Sequence, residues 1–206
     1  YISSGIDFTV DAETGWTNVG SRRLMLRSRK EAGIDLVAPS DLRAHYLKQS
    51  ARGERVPIAL TLGCHPADFI AASLRLPVDE ITLLGTLRGV PLAVVQCVTN
   101  DIRVPADAEI VIEGYLDERG HVEDEGPYGE FFGYYGQMKQ NPVFHLTAIT
   151  KRSDALFQTV TIGGRYLANT DTAQIGVLRT EATVWQALQT AIREPLAVCA
   201  SAASNG

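Results

Sequence analysis

From residue 56 to residue 162, short apolar runs alternate with breaks at Gly, Pro or Asp. "VPIALTL", "ITLLGTLRG", "PLAVVQCV", "EIVIEGYL", "VFHLTAIT" and "ALFQTVTI" are rich in β-branched residues and read as strands. Upstream, "DFTVD" is short and alternating, and "RRLMLRS" alternates basic with apolar positions. "LRGVPL" and "DERGH" read as hairpin turns. Three stretches carry a helical pattern instead. "PSDLRAHYLKQSA" has Ser40 as its N-cap, "HPADFIAASLR" places Pro66 in a first turn, and "QIGVLRTEATVWQALQTAI" is the longest. Successive strands with short connections predict antiparallel pairing. The fold class is therefore α+β, built on a β-barrel or strongly curved sheet. Parallel βαβ alternation is weak, and neither nucleotide-binding glycine motif, GxGxxG or GxxxxGK[ST], occurs.

Length and composition add limits. The chain has 206 residues with 45% hydrophobic and 21% charged content, ordinary for a globular protein. A net charge of −5 without a basic cluster argues against nucleic acid as a partner. No apolar run reaches the length of a membrane span. The chain opens on "YISSGIDFTV" without Met and ends on "AVCASAASNG", so it is expected to be a fragment of a longer multidomain protein. Cys64, Cys97 and Cys199 are scattered, which fits unremarkable thiols in a reducing cytoplasm better than a disulfide framework or a zinc site. His45, His65, His121 and His145 show no metal-ligand spacing.

Three stretches can carry chemistry. In "EGPYGE", Glu125 and Glu130 bracket a Gly-Pro corner, and Phe131, Phe132, Tyr134 and Tyr135 follow as candidate walls. Two acids held in unlike surroundings can take unlike protonation states. In "GWTNVGSRRL", Gly20 permits a close approach, and strand alternation sends Arg22 and Arg23 to opposite faces. A guanidinium there can grip a carboxylate bidentately. In "RLPVDEITLL", Asp79 and Glu80 enter a strand, and their oxygens suit magnesium or manganese. Each stretch also has a plain structural reading: an acidic loop, a solvated basic edge, an acid pair at a strand start.

Taken in order, "TNVGSRR", "DEITLLGTLRG", "VPADAEIVIEGYL", "EGPYGEFFGYYG" and "NPVFHLTAIT" resemble the UbiD-like decarboxylase family. The resemblance implies an antiparallel split β-barrel that binds flavin, with flanking helices, over residues 1–165. Residues 166–206 would form a helical connection toward a further domain. It implies a carboxy-lyase: a reversible, non-oxidative decarboxylase of aromatic, heteroaromatic or α,β-unsaturated carboxylic acids that uses prenylated FMN, Mn2+ or Mg2+, and K+. The catalytic set falls on Arg23, Glu125 and Glu130, with Glu130 as proton donor and Glu125 tuning Arg23. Metal ligands fall on Asn18 and Glu80, and the Trp16 carbonyl falls at the potassium. Flavin contacts fall on Ser3, Asn18, Arg23, Ser73, Leu74 and Glu80. The family's His ligand has no counterpart in "AGIDLVAPSD", where Asp35 is the nearest oxygen donor. Homo-oligomerisation would use regions outside this chain. Two other readings stay open: a non-catalytic flavin-binding module or subunit of a larger complex, and an ordinary FMN oxidoreductase.

Overall fold

The computed structural model describes residues 1–204. The chain divides into two compact units: Tyr1–Gly126 with Met138–Thr159, and Pro127–Gln137 with Val160–Gly206. By compactness, the division falls at residues 159 and 160 and groups 127–137 with the C-terminal part.

The first unit is a closed barrel of six antiparallel strands. These are β1 (Ile2–Val10), β2 (Thr17–Leu26), β3 (Glu31–Ile34), β4 (Val56–Leu62), β7 (Ile110–Leu116) and β10 (Val143–Lys151), in the order β1-β2-β3-β10-β7-β4. Inward positions of these strands, including Leu24, Ile34, Ile58, Leu60, Ile112, Leu116 and Phe144, form one buried cluster. Burying each such side chain contributes roughly 1.5–3 kcal/mol. Helix α1 (Asp41–Ser50) adds Leu42 and Tyr46 to the same cluster. Its start is fixed as expected, because the Ser40 hydroxyl accepts a bond from the Arg43 amide. Pro66 opens α2 (Pro66–Ala72), also as expected.

Gly114 marks where strands press closest. A Cβ there would sit 2.1 Å from the His145 carbonyl oxygen. One extra residue in β1, between Ile2 and Gly5, forms a bulge opposite Arg23 on β2.

Several strand expectations are corrected. "ITLLGTLRG" is not a strand but helix α3 (Glu80–Arg88). Asp79 stands at its N-cap position, and Gly89 closes it in the left-handed region at φ 71°. This helix punctuation outweighs the apolar run, and "LRGVPL" is accordingly a helix end rather than a hairpin. "ALFQTVTI" forms no strand. All six barrel strands already have two neighbours, so no edge remains for it to join. Leu156 and Phe157 stay exposed, and the segment is held to β1 by the Ser4 hydroxyl on the Gln158 carbonyl at 2.6 Å. In "PLAVVQCV" only β5 (Val94–Gln96) is extended, paired with β6 (Arg103–Pro105). The "DERGH" turn joins β7 to β8 (Glu123–Glu125), but β8 pairs with β9 (Lys139–Asn141), so it closes no hairpin.

In the second unit, the longest expected helix is α4 (Asp171–Ala191), capped by the Thr170 hydroxyl on the Ala173 amide. No helix among the described residues is long and apolar enough to cross a membrane.

Candidate functional site

Strand β2 carries one site near each end. Toward its C-terminal end, Arg23 lies across from Asp35, whose amide donates to the Arg23 carbonyl at 3.4 Å. The Arg23 guanidinium grips Glu125 bidentately, with Nε to Oε1 at 2.9 Å and Nη2 to Oε2 at 2.9 Å. Nη2 also meets Asp35 Oδ2 at 3.1 Å. Glu125 is fully buried at the end of β8, while Asp35 keeps 22% of its side-chain surface exposed.

Glu125 is held from several sides. Asn141 Nδ2 approaches its Oε2 at 3.5 Å, and Asn141 Oδ1 fixes the Leu36 amide at 2.9 Å. The Tyr1 phenol bonds to Glu125 and is pushed up to about 12, first by burial, then by the Glu125 charge and that hydrogen bond. Gly126, next in sequence, has φ 110°, which turns the chain away immediately after the acid. Its amide donates to Met25 Sδ at 3.4 Å. A fork-to-fork pair of this kind is short, directional and expensive to break when one partner is buried. A cavity of about 210 Å3 opens beside it, lined by Ser3, Ser21, Arg22, Arg23, Asp35 and Ser40 among others.

Toward the N-terminal end of β2, Trp16, Asn18 and Glu80 line a cavity of about 490 Å3 together with Asp11, Asp41, His45 and Arg75. Glu80 does not enter a strand, as expected from sequence; it is the first residue of α3. The helix start is stitched to β2 on both sides of Asn18. Asp79 Oδ1 accepts the Thr17 amide at 2.9 Å, and Glu80 Oε2 accepts the Val19 amide. Glu80 is pushed up to about 7, chiefly by burial; the Val19 bond opposes this, and the charges of Asp41, Asp7 and Asp79 add to it.

Asp7 is fully buried and neither carboxylate oxygen has a hydrogen-bond partner. Arg22 Nε stands 3.7 Å away, and burial raises the Asp7 pKa despite that cation. The close approach permitted at Gly20 is made by this acid, since a Cβ at Gly20 would lie 2.6 Å from Asp7 Oδ2. His45 Nδ1 is buried without a partner as well. Crowded oxygen donors with unrelieved negative charge suit a hard divalent cation. Among the described residues, however, no group of three or more His, Cys, Asp or Glu side chains is placed to hold a metal.

Four residues singled out from the sequence lie outside the Asn18–Glu80 cavity. Asp35 does not line the Asn18–Glu80 cavity; the β2–β3 register delivers it to Arg23. Ser73 ends α2 with its hydroxyl on the Ile70 carbonyl, and neither it nor Leu74 lines that cavity; Arg75, Leu76, Pro77 and Val78 do. Ser3 belongs to the Arg23 cavity, with its hydroxyl 3.0 Å from Thr159 Oγ1.

Glu130 belongs to the second unit. Its amide donates to the Tyr134 carbonyl at 2.8 Å, and its own carbonyl accepts from Gly133 at 3.0 Å. Gly163 packs so closely that a Cβ would lie 2.6 Å from the Glu130 carbonyl oxygen. The neighbouring aromatics are not buried walls: Phe132, Tyr134 and Tyr135 are 59%, 61% and 75% exposed. Sequence reasoning missed Tyr1, Asn141 and Asp7. Asp7 alone carried a signal, as an acid between Ile6 and Phe8 in an otherwise apolar strand.

Residues 1–166 match the family model described as UbiD, the 3-octaprenyl-4-hydroxybenzoate carboxy-lyase Rift-related domain. The chain belongs to the UbiD family. It is 35% identical over 165 residues to an uncharacterized protein of Aquifex aeolicus, of which it covers 34%. Its fold superposes on the UbiD-class enzyme HmfF from Pelotomaculum thermopropionicum, solved in complex with FMN, with a TM-score of 0.90 and 32% identity. That match covers 99% of this chain and 45% of HmfF. Vanillic acid decarboxylase of Sedimentibacter hydroxybenzoicus in its open form gives 0.86 at 28% identity, over 99% of this chain and 43% of the other. The 3,4-dihydroxybenzoic acid decarboxylase AroY of Klebsiella pneumoniae gives 0.77 at 30%, over 93% and 41%. This UbiD-family chain thus spans about a third of the curated relative and under half of each solved one.

Proposed function

We propose that this chain provides the cofactor- and substrate-binding barrel of a prenylated-FMN-dependent decarboxylase. Its substrates would be aromatic, heteroaromatic or α,β-unsaturated carboxylic acids. The observation that carries the proposal is the bidentate Arg23–Glu125 pair at 2.9 Å, in a barrel of the UbiD family. The cavity of about 490 Å3 is of a size that holds small-molecule ligands. Asn18 and Glu80 would hold a manganese or magnesium ion there, offsetting the burial and the neighbouring negative charge that raise Glu80. The Trp16 carbonyl would face potassium, and Leu76 and Val78 would supply apolar wall. When bound, the prenylated flavin supplies the electron sink for loss of carbon dioxide.

The chain's own residues do the rest. Glu125, buried and gripped through both oxygens, fixes the plane of the Arg23 guanidinium. Arg23 orients the substrate carboxylate. Glu130 delivers the proton that replaces carbon dioxide, as a general acid. Scattered free thiols fit a reducing, cytoplasmic setting; Cys97, buried, and Cys64, part-buried, are both pushed up to about 12 by burial, so neither forms thiolate readily. Assembly into a homo-oligomer would use chain beyond this region.

The test is turnover of an aromatic acid by full-length protein carrying Glu130→Gln or Arg23→Lys, with flavin occupancy followed by absorbance. Glu130→Gln is expected to lose roughly 10²–10⁴-fold in kcat at unchanged occupancy. Arg23→Lys is expected to fail as well, because an ammonium lacks the planar fork. Wild-type turnover by Glu130→Gln at full occupancy removes Glu130 as the donor. A second reading, a flavin-binding subunit without turnover of its own, draws on the lack of a three-ligand metal group among the described residues. Carbon dioxide release by flavin-loaded protein without any partner separates the two.

A further inference from the structure

Arg23 faces two carboxylates, and the structure treats them differently. Glu125 has no exposed side-chain surface, takes Nε and Nη2 together, and is further tied to Asn141 and Tyr1. It has nowhere to go. Asp35 takes only Nη2, at 3.1 Å, and its side chain is 22% exposed. Its other oxygen is held by one long contact, from the Val37 amide at 3.5 Å. A small rotation toward water releases it.

The position of Asp35 gives this weak grip a meaning. A guanidinium offers a carboxylate two bidentate edges, Nε with Nη2 and Nη1 with Nη2. Glu125 takes the first. An incoming carboxylate must use the second, and Asp35 Oδ2 lies on its Nη2 half. The cavity beside this edge, about 210 Å3, is lined by Arg22, Ser3, Ser21 and Ser40, a cationic and hydroxylated surface suited to a small anion. Asp35 is its one acid among the lining residues.

We propose that Asp35 is a displaceable internal counterion of Arg23, a specificity-determining residue that an acid substrate must evict before it binds. The proposal rests on the reading of Arg23 as the carboxylate-binding group. Eviction is feasible because Asp35 gains hydration as it leaves, whereas Glu125 would be stranded without its cation in a buried position. The ion pair holds Arg23 aligned and its charge compensated while no acid is present. It also weakens every carboxylate ligand by the strength of the contact that must be given up, and it does nothing to neutral ligands of the same shape.

The experiment is titration calorimetry of benzoate, with benzamide as neutral control, into full-length protein. Asp35→Asn keeps the shape and removes the charge. It is expected to tighten benzoate about two- to fivefold, the range for a partly exposed ion pair, and to leave benzamide unchanged. In turnover, KM for the acid falls by the same factor while kcat does not rise. Asp35→Glu, which keeps the charge, should restore wild-type benzoate affinity, and Asp35→Ser serves if the amide misfolds. Unchanged or weaker benzoate binding by Asp35→Asn, with binding abolished by Arg23→Lys, overturns the counterion and leaves the Arg23 reading intact. Benzoate bound equally by wild type and Arg23→Lys, or by neither, overturns the Arg23 reading and the counterion with it.

Discussion

The two ends of strand β2 settle charge in opposite ways. At Arg23 one cation is shared by two carboxylates at 2.9 and 3.1 Å, and the acid that is fully buried is also the one fully gripped. Around Asn18 and Glu80 acids crowd together, Glu80 is pushed up to about 7, and the nearby Asp7 is buried with neither carboxylate oxygen hydrogen-bonded. The first is assembled before any ligand arrives. The second concentrates buried acids with unpartnered oxygens, an arrangement that suits a cation or a hydrogen-bond donor. Under the proposed function, preorganisation at the Arg23 end would orient the substrate and unmet charge at the Glu80 end would bind.

The sharpest way to break the contrast is to remove the shared cation. Arg23→Met leaves Glu125 buried and unpaired, and urea unfolding should show a loss of about 3–5 kcal/mol. A loss below about 1 kcal/mol would mean that the corner is no more prebuilt than an exposed ion pair.

At the other end the expected effect is a pH dependence of the metal-free protein. Glu80 titrates in the folded chain near 7, against an ordinary carboxyl value of 4.5. Between those values the folded state holds a proton that the unfolded chain has lost. Stability is therefore fully present below about 4.5, falls as pH rises toward 7, and levels off above it. The fall should be on the order of 3 kcal/mol in thermal or urea unfolding with chelator present. It should vanish in Glu80→Gln. A flat profile for the wild type would show that the crowding is relieved by solvent.

The smallest effect belongs to Asp7. Asp7→Asn removes a buried acid whose oxygens have no hydrogen-bond partner, so Tm at pH 8 should rise by about 2–4 °C, with a smaller gain as the pH is lowered, because burial raises the Asp7 pKa and favours its neutral form. A lower Tm at pH 8 would show that the Arg22 contact at 3.7 Å outweighs the cost of burial.

Much of this was legible in the sequence, but unevenly. Barrel strands such as Val56–Leu62 and Ile110–Leu116 announce themselves through β-branched runs bounded by turn residues. Ser40 and Pro66 mark their helix starts because capping is a local interaction. The Glu80 helix was misread because its Leu, Ile and Thr content suits either element, and the deciding residues, Asp79 and Gly89, stand outside the apolar run. Arg23 and Glu125 were legible as residue types, whereas their pairing spans 102 positions and depends on barrel closure. Asp35 is more instructive. The β2–β3 register pairs Leu24 with Ile34, so Arg23 and Asp35 face one another as soon as the hairpin is counted out from its "RSRK" turn. Reading Asp35 only as an oxygen donor for a metal overlooked that local constraint. Asn141 and Tyr1 left no signal, because what matters in each is a distant partner.

The strand order has a temporal consequence. The barrel closes where β3 meets β10, through pairs such as Glu31 with His145, more than a hundred positions apart. A topology dominated by such distant pairings folds on the millisecond-to-second scale, late and nearly all at once. A ribosome-bound chain that has released residues 1–100 but not residue 125 can form the β2–β3 hairpin, and with it the Arg23–Asp35 contact, before Glu125 is present. Asp35 would then meet Arg23 during synthesis before Glu125 does.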